Sequence, residues 1–150
     1  MDTTRASVAH RKYVQPLAGL GLQIGSPAVT SSTEPGKGIN WLKEFLARCS
    51  DCQIDFVVVH WYAWNKPEDF KKYMQAVHEA FCMPIWITEF GVHEGDADEF
   101  LRDVLPWMDQ QTWIERYAYY MAAPSTGSSQ FLINAAGSAL SSTGLIYATL

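Results

Sequence analysis

The sequence has 150 residues, of which 48% are hydrophobic and 18% are charged, the balance of a folded domain rather than of a disordered chain. Acidic residues outnumber basic ones by 16 to 11, and the scattered Lys and Arg argue against a nucleic-acid partner. No run of about 18 apolar residues is present, so no membrane partner is expected, and no secretory signal is visible to indicate localisation. We expect one domain over residues 1–150.

Two helices and two strands are predicted in the first part of the chain. Thr3–Leu17 has the spacing of an amphipathic helix, and Leu22–Val29 follows as an interrupted strand. After a polar loop at Thr30–Lys37, Ile39–Arg48 is predicted to be helical, and Ile54–Trp61 is an almost continuous apolar strand. The apolar side chains on one side of the first helix are Val8, Tyr13, Val14 and Leu17.

The same alternation continues to the end of the chain. A capping pattern at Asn65 starts a helix that runs to about Phe81, and Pro84–Phe90 is the next strand. Asp96 caps a helix that runs to about Asp109, and Trp113–Met121 is the fourth strand. A loop of small residues then leads to a closing helix at Ala139–Thr149.

Apolar strands that are joined by long helices call for a parallel sheet with helices packed outside it. No Gly-rich phosphate-binding motif follows any strand, so a nucleotide-binding fold lacks its usual signature. A (β/α)8 TIM barrel needs roughly 200 to 250 residues and eight strands. The predicted fold class is therefore α/β, with half of a (β/α)8 barrel.

The three cysteines leave more than one interpretation open. Cys49 and Cys52 form a C-x-x-C pair that follows a helix and precedes a strand, the reverse of the order in thioredoxin-like redox sites. A zinc site would need two more ligands, for which His78 and Cys82 are the candidates. A local disulfide or two plain thiols is the favoured reading, and no metal is expected.

Residues that suit sugar chemistry gather where the predicted strands end, which is the functional face of a parallel barrel. Glu89 is the one acid at the end of an apolar strand, and the structural alternative is that it only caps the following loop. For His60, a hydrogen bond to a carboxylate is favoured over direct proton transfer. Aromatic rings stack on pyranose faces, although strand alternation sends some of them away from a cleft. The aromatic candidates are Trp61, Tyr62, Trp64, Tyr117 and Tyr119.

Two strand motifs together resemble a known family. Ile87-Thr-Glu-Phe-Gly91 after Pro84, with Ile54-Asp-Phe-Val-Val-Val-His-Trp-Tyr62, resembles the glycosyl hydrolase catalytic core shared by glycoside hydrolase family 128. That group includes fungal β-1,3-glucanases and the alkali-sensitive linkage proteins. Further segments fit the same pattern: Gly25–Val29, Cys49 with Cys52, Trp113–Tyr119 and Leu132–Asn134.

The resemblance implies a retaining glycoside hydrolase that acts on β-1,3-glucan or its oligosaccharides without a cofactor. It implies that Glu89 is the nucleophile, that His60 lies beside it, and that the four strands correspond to strands five to eight of a barrel. It also implies a fungal source and a secreted or cell-wall location. The implied substrate contacts are Tyr62, Trp61, Trp64, Tyr117 and Tyr119.

The proton donor is the part of the family pattern that this sequence lacks. A retaining enzyme needs a second carboxyl group, which the family carries in an Asn-Glu-Pro motif, and no such motif occurs here. We expect the acid/base glutamate to lie upstream of Met1, since Glu34 is a weak substitute. The alternative function is a non-catalytic or repurposed relative that binds glucan or another small molecule in the aromatic cleft.

Half a barrel would leave the apolar side chains of its inner face uncovered, and Val57, Val59 and Ile87 are expected there. A homodimer that completes the barrel is one solution. A longer parent protein or a smaller closed fold are the others.

Overall fold

Within the residues that the structure describes, three parallel strands form one sheet and pair in chain order. The computed structural model describes residues 1–124 and 130–150, and places β1 at Val57–Trp64, β2 at Ile85–Glu94 and β3 at Ile114–Tyr119. Helix α3 (Pro67–Phe81) joins β1 to β2, and helix α4 (Ala97–Asp109) joins β2 to β3. The predicted α/β arrangement of parallel strands and connecting helices is therefore confirmed.

The elements outside this unit depart from prediction mainly at the start of the chain. Helix α1 covers Thr3–Ala9, continues as a π-helix at His10–Val14 and ends as a 3₁₀-helix at Gln15–Leu20. Helices α2 and α5 cover Gly38–Arg48 and Ser142–Thr149. The loop predicted before α5 includes residues 125–129, which lie outside the described residues. In the described ranges, no helix combines the length and the apolar character needed to cross a bilayer.

The apolar side predicted for the first helix is wrong. Val8 and Tyr13 are 60% and 65% exposed, whereas Thr3 and His10 are buried against α2. The Thr3 hydroxyl donates to Glu44 at 2.8 Å, and the ring of His10 meets Phe45 edge-on at 5.5 Å. The contact with α2 is therefore made by a hydrogen bond and a ring contact rather than by the predicted apolar side chains.

The first predicted strand, which was expected to be interrupted, forms no continuous strand in the structure. Gly25 and Val29 make only isolated parallel bridges to residues of the next extended segment. Pro27 has no N–H to donate, and the hydroxyl of Ser26 accepts from the N–H of Val58 at 2.9 Å where a backbone carbonyl would do so in a ladder. A side chain therefore replaces part of the strand pairing.

The helices cover one face of the sheet, and that face holds the core. Val57, Val59 and Ile87 are completely buried in the cluster that includes the inward side chains of α2, α3 and α4. Their predicted exposure on an inner barrel face is wrong, because strand alternation directs them to the helices. The opposite face carries Phe56 stacked on Trp86, with ring centroids 3.9 Å apart.

A β-bulge interrupts the alternation in β2. His60 of β1 lies opposite Glu89, and one more residue, Thr88, is inserted between Ile87 and Glu89 without a partner in β1. The pairing of β2 with β3 shifts over the same stretch, between Ile87 and Phe90. Ile87 and Phe90 both remain fully buried on the helix side, so Thr88 and Glu89 share the other face.

Candidate functional site

Glu89 of β2 is contacted by two polar side chains of the neighbouring strand β1. The hydroxyl of Tyr62 donates to Oε2 of Glu89 at 2.7 Å, and Nδ1 of His60 lies 3.4 Å from the same oxygen. The second distance is a polar contact rather than a well-formed hydrogen bond. The Glu89 side chain is 38% exposed, so its carboxylate is oriented by the protein and still open to solvent.

His60 is held from its other side by the bulge residue. Nε2 of His60 lies 2.9 Å from Oγ1 of Thr88. His60 and Tyr62 reach Glu89 from the same strand because they are two residues apart in β1 and therefore share a face. The structure thus brings together three of the predicted site residues, Glu89, His60 and Tyr62, and adds Thr88.

Two residues that were not predicted fix the ring of Tyr62. His93 stacks on it with a centroid distance of 5.3 Å, and Tyr120 meets it edge-on at 5.9 Å. Gly91 lies under the same ring, where a Cβ atom would sit 3.1 Å from the carbonyl oxygen of Tyr120 and 3.4 Å from the Tyr62 ring. His93 lies three residues beyond the predicted strand Pro84–Phe90, so a longer strand would have suggested it. Tyr120 lies within the predicted strand Trp113–Met121 and was not singled out as a site residue.

Partial burial raises the pKa of the Tyr62 phenol far above its ordinary value, and the hydrogen bond to Glu89 raises it further. The phenol therefore keeps its proton at neutral pH. It acts as a stable donor to the carboxylate.

A cavity of about 420 Å³ opens beside this cluster. Its lining residues are Thr30, Ser31, Ser32, His60 and Tyr62. A larger cavity of about 680 Å³ lies elsewhere, against the N-terminal helical segment and Trp41. We take the smaller cavity as the candidate site, because His60 and Tyr62, the two residues that contact Glu89, both line it, and its size falls within the usual range for ligand pockets.

Three of the predicted substrate contacts lie on the other side of the sheet. Trp61 is 3% exposed and stacks on Phe100 in the helix-facing core. Tyr119 is buried in the same layer, and the hydroxyl of Tyr117 donates to Asp109 at the end of α4 at 2.7 Å. Strand alternation sends these rings towards the helices, so the structure does not bring them to Glu89.

Among the predicted aromatic substrate contacts, Trp64 is exposed to solvent. It ends β1 on the strand that carries His60 and Tyr62, and it is 62% exposed. By strand alternation its side chain shares the face of His60 and Tyr62, and an exposed indole is suited to stack on a sugar ring.

Two other carboxylates, Glu34 and Asp55, have partners of their own. Glu34 pairs with Lys37, whose hydrogen bond lowers the pKa of that carboxyl group, the opposite of what a proton donor requires. Asp55 accepts from the N–H of Ile24 at 2.6 Å. None of these contacts leads to Glu89.

The cysteines carry no metal site in the structure. Cys49 and Cys52 are joined by a disulfide, so they offer no thiolate for zinc, and Cys82 is an exposed free thiol. Over residues 1–124 and 130–150, no group of three or more His, Cys, Asp and Glu side chains is placed to hold a metal ion.

Comparison with known proteins identifies a family for nearly the whole chain. The family model described as "Glycosyl hydrolase catalytic core" matches residues 1–147. The chain is also 32% identical over 164 residues to alkali-sensitive linkage protein 1 of Schizosaccharomyces pombe, covering 98% of this chain and 29% of that protein.

Solved structures of family 128 glycoside hydrolases share the fold. A curdlan-specific exo-β-1,3-glucanase from Blastomyces gilchristii, solved with glucose, is 35% identical with a TM-score of 0.83, covering 100% of this chain and 63% of that one. An endo-β-1,3-glucanase from Lentinula edodes is 26% identical with a TM-score of 0.86, covering 97% and 63%. The chain thus spans under two thirds of the length of these relatives.

The bond between Tyr62 and Glu89 predicts a change in one phenol pKa. Glu89→Gln removes the negative charge and leaves the burial, so the pKa of Tyr62 should fall but stay above the ordinary value of about 10. Ring-carbon NMR of labelled tyrosines over alkaline pH measures it, with Tyr62→Phe identifying the signal. Tyr117, whose raised pKa depends on burial and Asp109, is the internal control and should not move. An unchanged Tyr62 titration would contradict the bond.

Proposed function

The chain belongs to the glycosyl hydrolase catalytic core family, and we propose that it acts on β-1,3-linked glucan at the Glu89 site, with Glu89 as the nucleophile. The observation that carries the proposal is the carboxylate itself, which accepts a hydrogen bond from Tyr62, contacts His60 and remains 38% exposed. Both of those neighbours line the 420 Å³ cavity. The activities of the relatives from Blastomyces gilchristii and Lentinula edodes support the substrate class.

The two carboxylate oxygens of Glu89 differ in their contacts. Oε2 accepts from Tyr62 and faces His60, whereas Oε1 has no hydrogen bond within the described part of the chain. In the proposed retaining reaction, Oε1 attacks the anomeric carbon as the bond to the leaving glucan oxygen breaks. Water then releases the sugar from the ester with overall retention of configuration.

A proton for the leaving oxygen must come from a second carboxyl group about 5 to 5.5 Å from the nucleophile. The sequence contains no Asn-Glu-Pro motif, and Glu34 is engaged by Lys37. We propose that the acid/base glutamate belongs to a segment outside these 150 residues, and that the three strands are part of a (β/α)8 half-barrel. A site at the fungal cell wall, where β-1,3-glucan is found, belongs to the same proposal.

Glucan binding without hydrolysis is the second candidate function. It is favoured by the lack of a recognisable proton donor near a cleft that still offers Tyr62 and the exposed ring of Trp64. Binding needs the stacking surfaces and the hydroxyl groups, but it does not need the second carboxyl group. Both candidate functions therefore involve the same glucan ligand, but only the first predicts that the ligand is cleaved.

We also propose a homodimer, formed through a surface different from the one expected from the sequence. The strand residues expected to drive pairing are buried, but several large apolar side chains near the start of the chain are exposed. A second copy would cover this apolar N-terminal surface and remove it from water. The surface is formed by Val8, Tyr13, Leu17, Leu20 and Leu22.

Hydrolysis is tested with a substrate that needs no proton donor. A dinitrophenyl β-laminaribioside has a leaving group that departs unprotonated, so the chain should cleave it with retention even where soluble β-1,3-glucan is cut slowly. Glu89→Gln should lower the rate at least about 10²-fold, as the loss of a key electrostatic group does. Glu79→Gln, at an exposed position of α3, is the matched control and should leave the rate unchanged. No cleavage by a demonstrably folded chain would refute hydrolysis.

Binding is tested with a laminari-oligosaccharide and tryptophan fluorescence or calorimetry. Trp64→Ala should weaken affinity about 3- to 10-fold, because one stacking contact is worth about 0.5 to 1.5 kcal/mol. Trp113→Phe is the control, since Trp113 stacks on His78 in a different part of the molecule. If both variants bind the oligosaccharide as tightly as the natural chain does, Trp64 is not a substrate contact.

Self-association is tested by sedimentation over a range of concentrations. The natural chain should form dimers, and Leu20→Lys should yield monomers because it places a charge in the apolar N-terminal surface. Leu145→Lys changes an equally apolar exposed residue on α5 and should leave the dimer intact. Monomers at every concentration in the natural chain would rule the dimer out.

A further inference from the structure

The two ring nitrogens of His60 face partners with different hydrogen-bonding abilities. Nε2 lies 2.9 Å from the hydroxyl oxygen of Thr88, and Nδ1 lies 3.4 Å from Oε2 of Glu89. A threonine hydroxyl can donate or accept, whereas an ionised carboxylate can only accept. The partner on the Nδ1 side is therefore the one that restricts where the imidazole proton can be.

A neutral imidazole carries its proton on one nitrogen and a lone pair on the other. A bare Nδ1 would direct its lone pair at the carboxylate oxygen, and the two would repel each other. With the proton on Nδ1, the contact to Glu89 becomes attractive and Nε2 must accept a hydrogen bond. The hydroxyl of Thr88 is placed to donate that bond.

We propose that Thr88 is a positioning residue whose hydroxyl donates to Nε2 of His60 and thereby keeps the proton of the neutral imidazole on Nδ1, facing Glu89. With the proton on Nδ1, His60 and Tyr62 both direct a proton at Oε2 of Glu89. For the catalytic consequence the inference rests on the proposed function, since it leaves Oε1 as the attacking atom. The tautomer itself depends only on the contacts among Thr88, His60 and Glu89.

The bulge in β2 explains why a threonine can do this. In a regular strand only one of two neighbouring residues faces the site, and the carboxylate would take that place. The inserted residue lets Thr88 and Glu89 stand on the same face, so that they contact opposite edges of one imidazole ring.

The tautomer is read directly by long-range ¹H–¹⁵N correlation on the full chain with labelled histidine, at about pH 8.5, where histidine is ordinarily neutral. The chain has four histidines, and His60→Gln identifies the signals of His60. We expect a protonated Nδ1 and an unprotonated Nε2. A protonated Nε2 in the natural chain would overturn the proposal.

Two variants separate the hydroxyl from the shape of the side chain. Thr88→Val keeps the branched shape and removes the donor, so His60 should shift to a mixture with the proton on Nε2. Thr88→Ser keeps the donor and should restore the natural spectrum. Unmoved signals from His10, His78 and His93 show that the fold is kept, and Thr88→Ala serves if the valine variant does not fold. A natural His60 spectrum in the valine or alanine variant would refute the role of Thr88.

Kinetic measurements on the dinitrophenyl β-laminaribioside test the catalytic consequence of this arrangement. Thr88→Val should lower kcat about 10-fold and change KM less than about 2-fold. A 10-fold loss of kcat is the effect expected when one hydrogen bond to a charged group is weakened. Thr88→Ser should recover most of kcat. If the chain does not turn over while His60 shows the expected tautomer, the proposed hydrolysis fails and the inference stands. If turnover occurs with the opposite tautomer, the inference fails and hydrolysis stands.

Discussion

One inserted residue in β2 decides which side chains of β1 and β2 meet at the candidate site. Ile87 and Phe90 must both face the helices, because both are fully buried in the core, and a regular strand cannot place residues three apart on one face. The bulge resolves this conflict by turning Thr88 and Glu89 to the other side together. The packing of the core and the polar network of the site therefore depend on the same local irregularity.

The sequence is a good guide to the elements whose patterns are strong. Apolar runs with connecting amphipathic helices identify the parallel unit, and the resemblance around Glu89 leads to the right family. The weak points have physical causes. Leu22–Val29 has strand-like residues, but Pro27 and the Ser26 hydroxyl disrupt the pairing that the pattern assumes. The first helix buries small residues where the apolar pattern predicts large ones.

The candidate site was only partly predictable, because composition does not show which face a side chain takes. Tyr62 and Tyr119 look equivalent in the sequence, since each ends a strand in an aromatic cluster. One donates to Glu89, and the other is buried beneath the helices. Thr88 had no signal of its own, since a bulge is a mismatch between neighbouring strands and cannot be read from one strand alone.

The bulge also bears on how such a site can change through evolution. Loss of Thr88 would return β2 to simple alternation with Ile87, Glu89 and Phe90 on their present faces, so no core side chain would have to be replaced. Gain or loss of a single codon is thus a short step at this position, although in most strands it would turn the core outwards. The polar neighbours of the carboxylate can in this way be altered by a length change while the helices and the rest of the sheet keep their packing.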